Sequence, residues 1–218
     1  MPVTDVLYQD KDLVVCRKAP GLLSEGEGPD SLVTLLSRQC GVPVYPVHRL
    51  DRGAAGLMVF ARSQASAAAL SRAVQEKRLN KEYFALVSGV PTPAAGEMTD
   101  FLFKDSQKGK VFAVKRPRKG VREARLTYRT LWSGGAEPVS LVRIRLDTGR
   151  THQIRVQFSS RGMPLLGDGK YGSRVKGELA LFSCALGFPH PVTGQRMEFF
   201  DKPRGAPWDR VEEDAYDL

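Results

Sequence analysis

Residues 56–61, Gly-Leu-Met-Val-Phe-Ala, form an apolar run bounded by glycine on one side and Arg62 on the other. A run of that length between such boundaries reads as a buried strand. The stretch feeding it carries His48, Arg49, Asp51 and Arg52. Charged side chains crowded against the mouth of a buried strand carry a desolvation cost, so they are either paired with one another or held there for chemistry. We read them as chemistry, with Asp51 at the centre.

The rest of the chain supports a fold large enough to hold such a site. With 218 residues, 42% of them apolar, it can bury a sizeable core in one large domain or two small lobes. Thirty-three Lys and Arg against 24 Asp and Glu leave a net charge of +9. That balance favours a polyanionic partner, although a merely basic cytosolic enzyme has the same composition. Cys16, Cys40 and Cys184 lie in or beside apolar stretches without CxxC spacing. They read as reduced, buried small hydrophobes in a cytoplasmic protein. No signal-like h-region opens the chain and no run approaches membrane-spanning length, so no membrane partner is expected.

Taken in order, residues 6–8 and 13–16 suggest a hairpin. Asp30 or Ser31 is placed to cap a helix with Leu32, Leu35 and Leu36 on its apolar face, ending near Gly41. Beyond the central strand, the Ala-rich segment 64–77 after Ser63 is a strong helix by propensity. A strand at 83–87 then suggests a βαβ-like step. From Gly96 onward strands dominate, at 98–103, 110–115, 124–131 and 139–146. The third alternates Ala124, Leu126, Tyr128 and Thr130 with Arg125, Thr127 and Arg129, the period of a sheet with one wet face. Thr151 is placed to cap a helix carrying Ile154 and Phe158, which Gly162 closes. A Gly-rich loop (164–172), a buried strand (179–188), a turn at His190 and a last strand (197–200) follow. The tail from Asp201 has six acids and three bases and is expected to fray.

Nine Lys and Arg between residues 104 and 125 face only Asp105 and Glu123. A charge run is most often a solvated loop. Its confinement to one short region tilts the reading towards a phosphate-backbone contact, through Lys115, Arg116, Arg118 and Lys119.

Several chemistries find no support in the residue pattern. His48, His152 and His190 are far apart, without HxxxH or HExxH spacing, so no metal is expected. Gly167-Asp-Gly-Lys-Tyr-Gly matches neither phosphate-binding glycine motif, so no nucleotide cofactor is expected. A glycosidase needs two carboxylates with distinct roles, and Asp51 stands alone in its stretch, with Asp147 and Asp168 as distant possibilities. An arginine beside Asp51 would keep it ionised, as a nucleophile rather than an acid. Arg155 is the partner of choice. The same pair could equally be a buried ion pair joining two lobes, and residue types alone do not separate the two.

Val47-His48-Arg49-Leu50-Asp51, followed by Gly56-Leu57, resembles the HRLDxxTSGL motif of the RluA-type pseudouridine synthases. Asn80-Lys81-Glu82-Tyr83-Phe84-Ala85-Leu86-Val87 resembles their KxYxALV motif. Gly149-Arg150-Thr151-His152-Gln153-Ile154-Arg155 resembles their GRTHQIR motif, followed by family-like Gly167-Asp168, Tyr171-Gly172 and His190-Pro191. The likeness spans about residues 6 to 200, in order and spacing.

The resemblance implies a mixed α/β (α+β) fold: a largely antiparallel sheet with flanking helices, in a catalytic domain over residues 1–200 with a polar tail over 201–218. It implies a cofactor-free isomerase that converts uridine to pseudouridine in structured ribosomal or transfer RNA. Asp51 would match the aspartate that attacks the sugar while the base detaches, turns and rejoins through carbon. Tyr83 would match the tyrosine that packs on the flipped base and assists proton removal, and Arg155 the basic partner of the aspartate. Arg49 would match the residue that fills the gap left in the RNA stack. His48, Arg52, Lys81, Arg150 and His152 join Arg49 and the basic arm as expected RNA contacts. Extruding a stacked base costs a few kcal/mol, which aromatic stacking and phosphate contacts must offset.

The chain departs from the motif at Ala54-Ala55, where the family usually has Thr-Ser, and Gly53 replaces a bulkier residue, so the aspartate loop lacks two bracing hydroxyls. That loss motivates an alternative, a non-catalytic RNA-binding or chaperone protein that keeps the fold. A small-molecule hydrolase is a weaker third reading. Many relatives carry an N-terminal S4 domain. This sequence opens on the catalytic motifs, so its RNA affinity is expected to come from the domain itself. A monomer is expected, because no spare apolar stripe is evident.

Overall fold

The computed structural model describes residues 4–216. The element order is β1 (Asp5–Gln9), β2 (Leu13–Lys18), α1 (Leu32–Cys40), β3 (Tyr45–Pro46), β4 (Ala55–Ala61), α2 (Gln64–Gln75), β5 (Asn80–Ser88) and β6 (Ala95–Asp105). There follow β7 (Lys110–Val114), β8 (Val121–Gly134), β9 (Val139–Leu146), α3 (Gln153–Ser159), β10 (Leu181–Pro189) and β11 (Arg196–Phe200). The elements fall into two units: the described part of Met1–Lys81 with Phe182–Pro203, and Glu82–Leu181 with the described part of Arg204–Leu218.

In the first unit the strands run in the order β1-β2-β4-β10-β11, with β3 on the end of β4. The β1–β2 turn is closed by Asp10, whose Oδ1 accepts from the backbone N–H groups of Asp12 and Leu13. Leu13, Val15, Leu57, Val59, Leu70, Leu186 and Phe188 form one core. Each such side chain taken fully out of water contributes about 1.5–3 kcal/mol. α2 begins because Ser63 is extended and its Oγ accepts from the Ser66 N–H at 3.1 Å. Ser66, Leu70 and Ala73, spaced i, i+4, i+7, are its buried stripe. α1 ends as expected at Gly41, in the left-handed region at φ 69°. Its N-cap position falls to Ser31, but that hydroxyl donates to the Gly26 carbonyl at 2.6 Å rather than capping.

The βαβ-like step takes a different form. The parallel neighbour of β4 is β10, and β5 pairs antiparallel with β9.

The second unit orders its strands β5-β9-β8-β6-β7, all antiparallel. Ala124 and Leu126 are buried while Arg125, Thr127 and Arg129 are exposed, as the alternation required. α3 packs on the inner face, where Leu102, Val111, Ala124, Val156 and Tyr171 cluster and Phe158 meets Tyr128 edge-on at 5.7 Å. Its cap differs from expectation: the N-cap is His152, in the left-handed region at φ 53°, not Thr151.

The acidic tail does not fray over its described part. Trp208, Val211 and Tyr216 are buried, and Tyr216 packs edge-on against Phe84 with centroids 5.2 Å apart. Three apolar side chains spread among six acids escape a composition reading and still anchor the segment. Cys40 is likewise half-exposed rather than buried, its Sγ 3.6 Å from the Gln9 side-chain oxygen.

Candidate active site

The loop carrying Asp51 is held through its main chain, by other backbone groups and by the side chains of Ser24 and Lys18. Asp51 is half-buried, and its carbonyl accepts from the Ala54 N–H at 3.0 Å, closing a four-residue turn. One residue earlier, Ser24 clamps Leu50, donating to its carbonyl (2.9 Å) and accepting from its N–H (3.0 Å). On the other flank the Arg52 carbonyl accepts from the Gly21 N–H at 2.8 Å. Gly56 follows at φ 108°, and a Cβ there would lie 2.4 Å from the Ser183 carbonyl oxygen. Only glycine lets β4 approach β10 so closely.

Beneath this loop lies Lys18, the last residue of β2 and fully buried. Its ammonium donates to the carbonyls of Ala54 (2.7 Å), Arg52 (3.0 Å) and Ala19 (3.1 Å), which uses all three N–H bonds. Burial pulls its pKa down to about 8, with Asp51 acting in the opposite sense and Arg52 adding to the fall. Ala54-Ala55 offers the loop no hydroxyl, and here a buried cation ties the two carbonyls that follow Asp51, those of Arg52 and Ala54, to the end of β2.

In the second unit Arg155, on α3, forms a two-pronged pair with Asp168: Nε to Oδ2 at 2.7 Å and Nη2 to Oδ1 at 2.8 Å. Both side chains are almost entirely removed from solvent. Such forks are short and directional, and breaking one partner of a buried pair leaves an uncompensated charge. The guanidinium also lies 5.0 Å over the ring of Tyr171. Tyr171 Oη accepts from the Val111 N–H at 3.0 Å and shares a hydrogen bond with His152 Nδ1 at 2.7 Å. Asp168 is set in place by Gly167, at φ 74°, where a Cβ would strike the Glu178 carbonyl at 1.9 Å. Tyr83 is buried on β5, opposite Ile144, which in turn lies opposite Tyr128. Tyr83 therefore faces the side of the sheet on which α3 packs.

The other expected contacts divide into two sets. His48 Nε2 accepts from the Val59 N–H at 3.1 Å, continuing the pairing of β3 with β4 by a side chain. Burial, then the charge of Lys81, holds its pKa well below the usual imidazole range, so it serves as a neutral strand brace rather than a phosphate ligand. Lys81 is half-buried, with its pKa drawn down to about 8 by burial. His152 is engaged by Tyr171, and Arg150 Nε donates to the Glu123 carbonyl at 2.9 Å. Arg49, paired with Glu25, and Arg52, paired with Asp30, are exposed. Lys115, Arg116, Arg118 and Lys119 are exposed between β7 and β8.

Sequence reading missed Lys18 and gave Asp168 only a distant role. A lysine ending the run Leu13-Val-Val-Cys and followed by Pro20-Gly21 was the available signal for the first. The family-like Gly167-Asp168 was the signal for the second.

His190, Asp10 and Asp12 come within ligand distance of one another. Their hydrogen bonds leave no lone pair on the imidazole for a cation: Nδ1 accepts from the N–H groups of Val192 and Thr193, so Nε2 carries the proton and gives it to Asp10 at 2.9 Å. Burial raises the Asp10 pKa, but hydrogen bonds from Asp12, His190, Leu13 and Tyr8 outweigh it and bring it to about 2.

A family model described as RNA pseudouridylate synthase matches residues 12–160. The chain belongs to that family. Asp51, Tyr83 and Arg155 all fall inside the matched region, and Asp168 and Tyr171 lie just beyond it. The chain is 34% identical to ribosomal large subunit pseudouridine synthase D of Vibrio parahaemolyticus, over 89% of its own length and 66% of that protein. It is 35% identical to an uncharacterized RNA pseudouridine synthase of Aquifex aeolicus, over 89% of its length and 68% of that protein. It thus spans about two thirds of the length of these curated relatives. Among solved structures, human RNA pseudouridylate synthase domain containing 4 superposes with a TM-score of 0.76 at 27% identity, covering 92% of this chain and 89% of that one.

Proposed function

We propose that this protein isomerises specific uridines to pseudouridine in structured RNA, with Asp51 as the nucleophile. The family match carries the reading, because it spans the loop built around Asp51. The Asp51 carboxylate attacks the sugar of a flipped uridine, the bond from sugar to base nitrogen breaks, and the base turns to present carbon. A carbon–carbon bond then forms as the Asp51 carboxylate leaves the sugar, the proton on that ring carbon is lost and the ring nitrogen that left the sugar gains one, so nothing is added and no cofactor is needed. Tyr83 stacks on the flipped base and assists proton removal. Arg155, held rigid by Asp168, is the basic partner of the aspartate, and Arg49 fills the space the base vacates. Arg52, Lys81, Arg150, His152, Lys115, Arg116, Arg118 and Lys119 are RNA contacts in this reading.

Ribosomal RNA is the favoured substrate, from the likeness to the synthase D of Vibrio parahaemolyticus, with transfer RNA second. The protein acts as a monomer in the cytoplasm, where its three free cysteines stay reduced. Among the described residues no helix is long and apolar enough to cross a membrane.

Pseudouridine is measured in RNA transcripts after incubation with wild type and Asp51→Asn. Wild type is expected to form it and the variant none above background. Equal product from both removes Asp51 from its role.

A further inference from the structure

The two faces of the second unit's sheet are unequally covered. α3 closes one. On the other the alternation places Phe101 and Phe103 of β6, Phe112 and Val114 of β7, and Val121 of β8, with Phe103 directly opposite both Phe112 and Val121. Towards β5 this outer face is closed by Tyr216 against Phe84. Towards β7 the three phenylalanines remain partly exposed. Their rings are met by cations: Arg118 stands 5.1 Å over Phe103, Lys108 stands 6.0 Å over Phe112, and Lys110, at the sheet edge, stands 5.8 Å over Phe112 and 5.3 Å over Tyr171. Among the described residues, Arg118, Lys108 and Lys110 form no ion pair with a carboxylate, whereas Arg125 on the same face is taken by Glu97 and Glu123.

Aromatic faces set among uncommitted cations on a sheet are suited to one partner above others. Every nucleobase has a face that stacks on a phenyl ring, and every linkage between bases carries a phosphate. A duplex keeps its bases stacked inside and offers only its backbone, so the aromatic half of the surface would go unused. We propose that this outer face is a platform for single-stranded RNA, with unpaired bases stacked on Phe103 and Phe112 and their phosphates held by Arg118, Lys108 and Lys110. On binding, each cation moves from its ring to the adjoining phosphate. The inference rests on the reading above only for RNA as the partner. It gives the basic arm a distinct task, capturing an unpaired segment that flanks the modified uridine.

The test uses the full chain and a fluorescein-labelled oligoadenylate of twelve ribonucleotides, which has no uridine, so isomerisation cannot contribute. Anisotropy is expected to show binding that weakens about ten-fold or more in the variant Phe103→Leu/Phe112→Leu. The salt dependence of that variant should match wild type, because phosphate contacts remain. Arg118→Gln/Lys108→Gln should instead lower the slope of log K against log salt by about 1–2. Should the phenylalanine variant melt early, an oligoadenylate with a central 2-aminopurine reports on wild type alone, its emission falling when the base stacks on protein. Binding indifferent to both phenylalanines, or unchanged 2-aminopurine emission, overturns the platform and leaves a charged edge strand that only deters aggregation. Absent pseudouridine formation beside intact, phenylalanine-dependent binding removes the isomerase reading and leaves the platform standing.

Discussion

Lys18 in the first unit, beneath the Asp51 loop, and Arg155 in the second, itself a proposed participant, are both buried cations, and they are satisfied in opposite ways. Lys18 is held by three neutral carbonyl oxygens, and burial draws its pKa to about 8. Arg155 is held by a carboxylate in a two-pronged fork. An ammonium is a compact charge that can gather several oxygens from different directions, while a guanidinium is planar and matches one carboxylate. Lys18 therefore suits drawing a loop together around Asp51, and Arg155 suits fixing one side chain in one orientation. The first arrangement responds to pH, because its amine can lose a proton.

The largest consequence concerns the fork. Arg155→Met strands the Asp168 carboxylate in the interior and should cost about 3–5 kcal/mol in urea unfolding, with Arg155→Met/Asp168→Leu recovering much of it. A loss under about 1 kcal/mol, within the range of an exposed pair, would mean that the fork is not what holds α3 to its loop. Arg155→Lys keeps the charge, loses the planar match, and should lower the rate of pseudouridine formation.

Lys18→Met should behave differently. Its lost hydrogen bonds are offset by relief of a buried charge, so stability at pH 7 should move by about 1 kcal/mol or less. Turnover should fall roughly ten- to a hundred-fold, because a small displacement of the attacking group is costly. A large loss of stability with normal turnover in the folded fraction would reverse that contrast.

The contrast also has a pH signature. The unfolded chain holds the Lys18 proton up to about 10.5 and the folded chain only up to about 8. Between those values the unfolded state binds more protons, so stability should rise with pH across that window. Lys81 contributes in the same sense. Lys18→Met should remove only its own part of the rise, whereas Arg155→Met should leave the rise intact. Unfolding curves collected from pH 7 to 10 decide this.

A separate effect, with no bearing on turnover, belongs to Asp10, outside both clusters. Its folded pKa of about 2, against 3.8, gives a contribution present above pH 3.8 and lost as pH falls to 2. Asp10→Asn should thus cost on the order of 1–2 kcal/mol at neutral pH and almost nothing at pH 2. A cost that persists at pH 2 would assign the effect to the hairpin turn rather than to the charge.

Alternation and capping were legible because they act over a few residues. The apolar run before Arg62 marked β4, Ser63 marked the start of α2, and the period of residues 124–131 predicted which side of β8 is wet. Where local rules compete with long-range packing, expectation and structure part. Thr151 is a better cap by type than His152, yet Gln153 is drawn inward to the Arg125 carbonyl and shifts the helix start. The tail reads as polar, but Trp208 and Tyr216 find a face of the second unit to bury against.

By itself the sequence determined the order of strands and helices, the family, and the positions of Asp51, Tyr83 and Arg155 along the chain. Only the tertiary structure decided that Arg155 is gripped by Asp168 and that Lys18 reaches 34 and 36 residues ahead to the carbonyls around Asp51. The reason is physical. Local propensity and periodicity are set by neighbours within a turn or a strand pair, whereas a buried charge must take whichever oxygens the finished fold brings within 3 Å, and backbone carbonyls look alike at every position in a sequence.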